Sequence, residues 1–507
     1  MSRSSPRRLL AAALVAAVSA ALLPTPSSAA APSLAWAPCA EEDLAGYQCA
    51  TREVPLDYDK PRGATTTIAL ARRPADDPAR RLGTIFVNPG GPGGPGRGLV
   101  TAAAEIVAPE VRARFDLVGF DPRGIGASDP LQCFATDAEA EALIARIALV
   151  PITKQQIRDT LQANYRYTEA CKRNAGPLLA HMSTLNVAKD LDQLRAAVGD
   201  AKLSYIGYSY GTLIGATYVN LYPNRVRAVI LDGNVDPAQR TNRRLANKFD
   251  RAGGFEIALK GFLAACDRAG PNCALAGHAR RKFDAVRERL RRGPFTSPTF
   301  GVVDLDLFTS YVYSSMYDVA SFPTTAADLR TLHDELFGSP PAATVKRALP
   351  AGLSPRAPSD YSFNSNDAGQ AVNCLDAPLP RNPAAYPAIA DRFESAHRTF
   401  GRAEAFSEVG CANWIRTNER YAGPWNKRTS QTVLLVNPTH DPATRYSFAQ
   451  NMARELGNAR LLALDGFGHT SSFSACVTTW YTRYLLAGQV PPRGTRCAQD
   501  LPPFPAP

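Results

Sequence analysis

The sequence predicts an α/β fold: a mainly parallel sheet with helices on both faces, and a large, mostly helical cap inserted before the last core strands. Three observations carry this expectation. Short β-type apolar runs alternate with helix-like stretches along most of the chain. One of those runs enters a tight glycine-flanked turn and leaves it as a helix. The interval 236–430 then breaks the alternation and is far too long for a loop between two sheet strands.

The elements follow in chain order. Residues 1–31 read as a secretory signal peptide. Arg3, Arg7 and Arg8 form a basic start, residues 9–23 are apolar but short for a membrane span, and residues 27–31 (SSAAA) offer small-residue cleavage sites. Paired arginines leave the twin-arginine export route open alongside the general one. Cys39 follows Trp36, Ala37 and Pro38, an unsuitable context for lipid attachment, so a secreted, extracellular product without stable membrane insertion is expected. Residues 32–235 form the first part of the core, with strands at 66–71, 84–88, 115–120, 203–207 and 226–232. Helices are expected at 212–221 and at 185–198, where apolar residues at 185, 187, 191, 194 and 198 keep helical spacing. The cap, 236–430, has helix-like runs at 251–265, 279–291 and 326–337 joined by proline-rich connections. Residues 431–507 return to the core with strands at 432–437 and 460–465 and helices at 446–456 and 473–486.

Composition narrows the function classes. With 45% hydrophobic and 20% charged residues the chain is an ordinary globular one. Net charge is +11, falling to +8 without the three arginines of the leader. The remaining arginines are scattered, with no basic run interleaved with aromatics, so a solvated Arg-rich surface is expected and nucleic acid is not a partner. Ten cysteines in an exported chain indicate disulfides. Spacing invites neighbour pairing, Cys39 with Cys49, Cys133 with Cys171, Cys266 with Cys273, Cys374 with Cys411 and Cys476 with Cys497, but does not determine connectivity. There is no C-x-x-C and no close histidine pair, so neither a metal nor a cofactor is expected. Composition leaves the oligomeric state undefined.

The segment 203–211, LSYIGYSYG, is a strand, then G-x-S-x-G, then a helix. A turn this sharp needs small residues at Gly207 and Gly211 and projects the Ser209 hydroxyl above the sheet. A serine hydroxyl is a poor nucleophile at neutral pH and needs a base that a carboxylate orients. In this architecture the partners follow in the order serine, acid, histidine. Of the six histidines, His181 precedes Ser209 and three fall in the cap interval. His469 lies in the loop GFGHT after the last core strand, where a base can reach over the serine. Asp441, in the loop PTHDP after strand 432–437, is placed to orient it. Two alternatives compete: His440 as base with an earlier acid such as Asp376, which leaves the final loop without a role, and Asp465 as acid, which is only four residues from His469 and better suited to ending its strand.

The stretch 88–98, NPGGPGGPGRG, contains G-x-G-x-x-G, the spacing of a dinucleotide-binding turn. Three prolines remove backbone donors, no helix starts within the motif, and Asp116 stands at the start of its strand, where the fingerprint acid belongs after one. Gly-Lys-Ser/Thr is also missing, so a nucleoside-triphosphate loop fails. Acyl transfer instead needs two N–H groups aimed at a developing oxyanion. Tyr210, after the nucleophile, supplies one. The glycine loop supplies the other, with Gly90, Gly91, Gly93 and Gly94 as candidates and Gly91 as the choice.

Together these residues resemble the α/β-hydrolase serine peptidases related to prolyl aminopeptidase, and within them the secreted tripeptidyl aminopeptidase group. The resemblance rests on NPGGPGGPG (88–96), DPRGIGAS (121–128), GYSYG (207–211), LDGNVDP (231–237), VNCLD (372–376), DPAT (441–444) and GFGHT (466–470). Pro89 stands where prolyl aminopeptidases carry histidine, and Arg445 where a proline is expected. The resemblance implies Ser209, Asp441 and His469 as triad, a helical cap over the cleft, and peptide or protein substrates with free N-termini. Such substrates need a carboxylate for the α-ammonium. Asp376, where the cap rejoins the core, is the candidate, with a disulfide-anchored surface carboxylate beside Cys374 as the plainer reading. An esterase or lipase with the same triad is the rival function.

Overall fold

Ile85 and Val87 belong to one buried apolar cluster and Phe86, between them, to another. The same split recurs in Ile206 against Tyr205, Ile230 against Val229, and Leu434 against Leu435. Successive strand side chains point to opposite faces, so a sheet that buries both faces needs a helical layer on each side. In this computed structural model, which describes residues 34–338, 347–349, 361–471 and 473–506, the strands are β1 (Ala37–Pro38), β2 (Gln48–Pro55), β3 (Thr65–Arg73), β4 (Gly83–Asn88), β5 (Phe115–Phe120), β6 (Leu203–Tyr208), β7 (Val226–Asp232), β8 (Phe295–Ser297), β9 (Gly301–Val303), β10 (Val433–His440), β11 (Ala459–Phe467) and β12 (Arg496–Ala498). Ten of them form one sheet in the order β1-β2-β3-β5-β4-β6-β7-β10-β11-β12. From β5 to β12 all neighbours run parallel, and β1, β2 and β3 add an antiparallel edge.

All seven expected strands form, most of them within one or two residues of the expected bounds. Two run further. β10 continues through Pro438, Thr439 and His440, which were expected as loop, and β11 includes Gly466 and Phe467. Ladder pairing across β10 and β11 extends these ends and places Asp441 directly at a strand terminus. The strands β1, β2 and β12 were not expected. β2 buries little beyond Ala50 and Val54, and its polar residues Thr51, Arg52 and Glu53 hide the strand pattern of a one-sided edge.

The chain leaves β4 for β5 on one side and returns to β6 on the other, which puts a topological switch point at the C-terminal ends of β4 and β6. Open parallel sheets take ligands at such a crevice. Asn88 pairs with Gly207 in register, so the glycine loop and the Ser209 turn leave the sheet side by side.

Between β7 and β10 the described residues are mostly helical, with their own buried cluster around Phe255, Phe262, Phe283, Phe308 and Phe322. The helices Arg244–Ala269 and Phe322–Phe337 start earlier than expected, and β8 and β9 form a two-stranded hairpin within the same segment. A further helix, Lys154–Asn174, precedes β6; Thr153 and Gln156 cap its start reciprocally, and Cys133–Cys171 anchors its end. All five neighbour disulfides are present: Cys39–Cys49, Cys133–Cys171, Cys266–Cys273, Cys374–Cys411 and Cys476–Cys497. No helix among the described residues is long and apolar enough to cross a membrane. The expected signal peptide lies outside the described residues.

Candidate active site

The turn at Ser209 is as tight as the motif demands. Ser209 adopts φ 54°, a left-handed conformation that non-glycine residues reach only at a cost. A β-carbon on Gly207 would sit 2.5 Å from the Gly211 carbonyl, and one on Gly211 would sit 2.7 Å from Asn88 Oδ1. Ser209 N donates to the carbonyl of Asp232, the last residue of β7, at 2.9 Å.

His469 approaches the same strand end. Gly233 follows Asp232, and a β-carbon there would lie 3.2 Å from His469 Cε1. Asp232 ties the two loops together: its side chain accepts from Ser471 N at 3.1 Å and Tyr481 Oη at 2.8 Å, while its backbone holds Ser209. Burial pushes the Asp232 carboxyl up to about 6 against these hydrogen bonds.

His469 Nδ1 lies 3.0 Å from both Asp441 carboxylate oxygens. Asp441, buried at 1% exposure, also accepts from Ala443 N, Thr444 N, Thr444 Oγ1 and Thr470 N. The other imidazole nitrogen, Nε2, is buried and has no hydrogen-bond partner among the described residues, so no structural bond engages the atom that a base would use. Tyr317 packs its ring edge-on against His469, with centroids 5.2 Å apart, and its carbonyl accepts from His469 N at 2.8 Å.

Ser209, Tyr210, Gly91, Thr444 and Tyr317 line one cavity of about 190 Å³. A larger open groove of about 920 Å³, between Phe134, Tyr165 and Arg173, contains none of them. The glycine loop narrows its own candidates. Gly90 N is spent on Asn88 Oδ1 at 3.0 Å, and Gly94 N on the Gly90 carbonyl at 3.3 Å. Gly93 packs against the helix Asn364–Asp376, where a β-carbon would sit 2.1 Å from the Ser365 carbonyl. Gly91, at φ 110°, is the member of this set whose amide is unspent and which lines the cavity together with Ser209. Asp121 holds the end of the loop by accepting from Gly96 N at 2.8 Å and Arg97 N at 3.0 Å, which gives DPRGIGAS a physical task.

The alternatives are placed elsewhere. His440 stacks on Phe467, with ring centroids 4.5 Å apart. Asp465 is paired with Arg496, and Asp116 with Arg81 and Ala75 N. The structure also corrects the expectation for Asp376. It does not line the cavity, is 3% exposed, and accepts from Thr184 N at 2.9 Å and Thr184 Oγ1 at 2.6 Å. Thr184 Oγ1 in turn bonds Tyr210 Oη, so Asp376 buttresses the residue after the serine from outside the cavity. Two groups of described residues bring three metal-ligand side chains together, and neither borders the cavity. In one, Cys39 and Cys49 form a disulfide; in the other, His181 Nδ1 is 2.9 Å from Glu419.

Thr444 belongs to DPAT but had no role assigned from sequence. Its Oγ1 donates to Asp441 Oδ2 at 2.9 Å and lies 3.3 Å from His469 Nδ1. Thr444→Val keeps the shape and removes this clamp. A fall in kcat on the order of ten- to a hundred-fold is expected, with KM nearly unchanged and with recovery in Thr444→Ser. Full activity in Thr444→Val would show that the carboxylate and imidazole hold position without it.

Comparison with known proteins agrees with this fold. Residues 83–339 match the family model described as alpha/beta hydrolase fold, and residues 397–497 match the model for TAP-like protein. The chain is 31% identical to the serine protease Hip1 of Mycobacterium tuberculosis over 485 residues, covering 91% of this chain and 90% of that one. It is 31% identical to the tripeptidyl aminopeptidase of Streptomyces lividans over 472 residues, covering 90% and 85%. It is 32% identical to carboxylesterase B of Mycobacterium tuberculosis over 496 residues, covering 92% and 90%.

Proposed function

The chain belongs to the α/β-hydrolase family of serine hydrolases, and from that premise we propose that it is a secreted serine exopeptidase, cleaving peptide bonds near free N-termini in the manner of a tripeptidyl aminopeptidase. The observation that carries the reading is the Asp441–His469 pair, with its second imidazole nitrogen unbonded, beside the strained Ser209 turn. Ser209 Oγ attacks the scissile carbonyl while His469 Nε2 takes its proton and passes it to the leaving amine. Asp441 holds the imidazole tautomer and stabilises the imidazolium. The Gly91 and Tyr210 N–H groups receive the oxyanion. Water, activated by the same histidine, then releases the acyl group and frees Ser209. In this reading 32–235 and 431–507 are the core, 236–430 is the cap that shapes specificity, and 1–31 directs export.

The reading is tested with chromogenic anilides: unblocked tripeptides, the same tripeptides N-acetylated, and single residues. Unblocked tripeptides are expected to be cleaved best, with acetylation lowering kcat/KM on the order of a hundred-fold or more. A carboxylesterase among the relatives supports a second reading, in which the same triad acts on esters. Turnover confined to short-chain esters would establish that one and overturn the peptidase.

A further inference from the structure

The cavity beside Ser209 is lined by four cations, Arg240, Arg244, Lys248 and Arg251, and by no carboxylate. Arg244, Lys248 and Arg251 lie on one face of the helix Arg244–Ala269, spaced four and then three residues apart. Two buried carboxylates stand behind them. Glu408 is 2.7 Å from Arg244 and 3.0 Å from Lys248, and Glu404 pairs with Arg251 and lies 3.2 Å from Lys248. Burial alone would push both acids up, but the neighbouring cations outweigh it, holding Glu408 at about 2 and lowering Glu404. Both are therefore charged, and within ion-pair distance the four cations meet only these two carboxylates among the described residues. The cation left without one is Arg240, beside Tyr210.

Arg240 is 8% exposed and has no carboxylate within ion-pair distance among the described residues. Its guanidinium donates to Asn373 Oδ1 at 2.7 Å and lies 5.7 Å from the ring centre of Tyr210, the residue after Ser209. Arg244, 3% exposed, shares the same Asn373 oxygen at 3.1 Å. Arg240 Nε and Arg244 Nη1 are both buried without hydrogen-bond partners. A guanidinium kept from water without a counter-charge is costly, and a bound anion relieves that cost. The planar fork of donors suits a carboxylate.

We propose that Arg240 and Arg244 form an anion subsite beside Ser209, and that the substrate brings a carboxylate there, next to the bond that is cleaved. This rests on the reading of Ser209 as nucleophile but not on exopeptidase specificity. The carboxylate has two possible sources: an acidic side chain on the residue that donates the acyl group, or the free C-terminus of a short leaving peptide.

Paired substrates separate the two. One pair is the anilides of Ala-Ala-Glu and Ala-Ala-Gln; the other is tetra-alanine as free acid and as C-terminal amide. The charged member of one pair is expected to have kcat/KM higher on the order of tenfold or more, and the pair that shows it identifies the source. Arg240→Met is expected to bring that ratio near one, with Arg240→Lys in between, while thermal unfolding confirms that each variant folds. Calorimetry on Ser209→Ala protein with Ala-Ala-Glu amide, Ala-Ala-Gln amide and tetra-alanine acid and amide reads the same preference without turnover. Equal values within both pairs, in kinetics and in binding, would overturn the subsite. Labelling of wild-type Ser209 by a serine-directed phosphonate would then show whether the nucleophile reading survives without it.

Discussion

Ser209→Ala is expected to lower kcat by about 10⁵- to 10⁶-fold and to abolish labelling by a serine-directed phosphonate. The turn spends backbone strain on one side chain, since Ser209 stands at φ 54° and its neighbours Gly207 and Gly211 have no room for a β-carbon. Strain of this kind persists where the surrounding structure over-determines it, and here it holds a hydroxyl over the C-terminal end of β6. Loss through misfolding is separable from loss of the nucleophile by a second variant. Ser209→Gly adopts positive φ without steric cost, so it is expected to be equally inactive and to unfold no earlier than the wild type. Measurable turnover at more than about one-hundredth of the wild-type rate in either variant, with no other serine labelled, would remove Ser209 from the chemistry.

The next largest effect is expected at the acid. Asp441→Asn is nearly isosteric, yet an activity loss of about 10³- to 10⁴-fold is expected. Asp441 is an acceptor for five donors: His469 Nδ1, Ala443 N, Thr444 N, Thr444 Oγ1 and Thr470 N. An amide turns one of its two acceptor atoms into a donor. Either the backbone or the imidazole then meets an N–H, and the imidazole answers by reversing its tautomer, which leaves Nε2 protonated and unable to act as base. Phosphonate labelling should slow by a similar factor without vanishing, because Ser209 remains present. An Asp441→Asn enzyme with near-normal kcat would pass the role to another carboxylate, such as Asp232, which accepts from Ser471 N two residues after His469.

Much of this was legible in the chain because motif chemistry is local. G-x-S-x-G after an apolar strand needs only a few residues to announce a strained turn, and the prolines of NPGGPGGPG already limit which amides can donate. The order serine, acid, histidine placed Asp441 and His469 in loops after the last two core strands, and both are found beside the serine turn. Spacing invited neighbour pairing without determining it, and all five disulfides join neighbours. The less legible parts are those whose pattern depends on what lies opposite. β2 buries only one face and so lacks a continuous apolar run, and β12 is three residues long.

Long-range contact decided the rest. Asp376 is the sequence candidate for an ammonium because it stands where the cap rejoins the core, but a contact across 192 positions of sequence ties it to Thr184, outside the cavity. Among the four glycines that could donate to an oxyanion, sequence alone left a choice, and only the folded loop shows which amides are spent on Asn88 and Gly90. The charge of the cavity is likewise invisible in the chain, because Arg244 and Lys248 meet Glu408 across more than a hundred and fifty residues while Arg240 meets no acid. Covalent neighbours set the strain and donor chemistry of a turn, so motifs can be read one at a time. Which groups are free to act depends on which partners have already satisfied them, and only the tertiary fold assigns those partners.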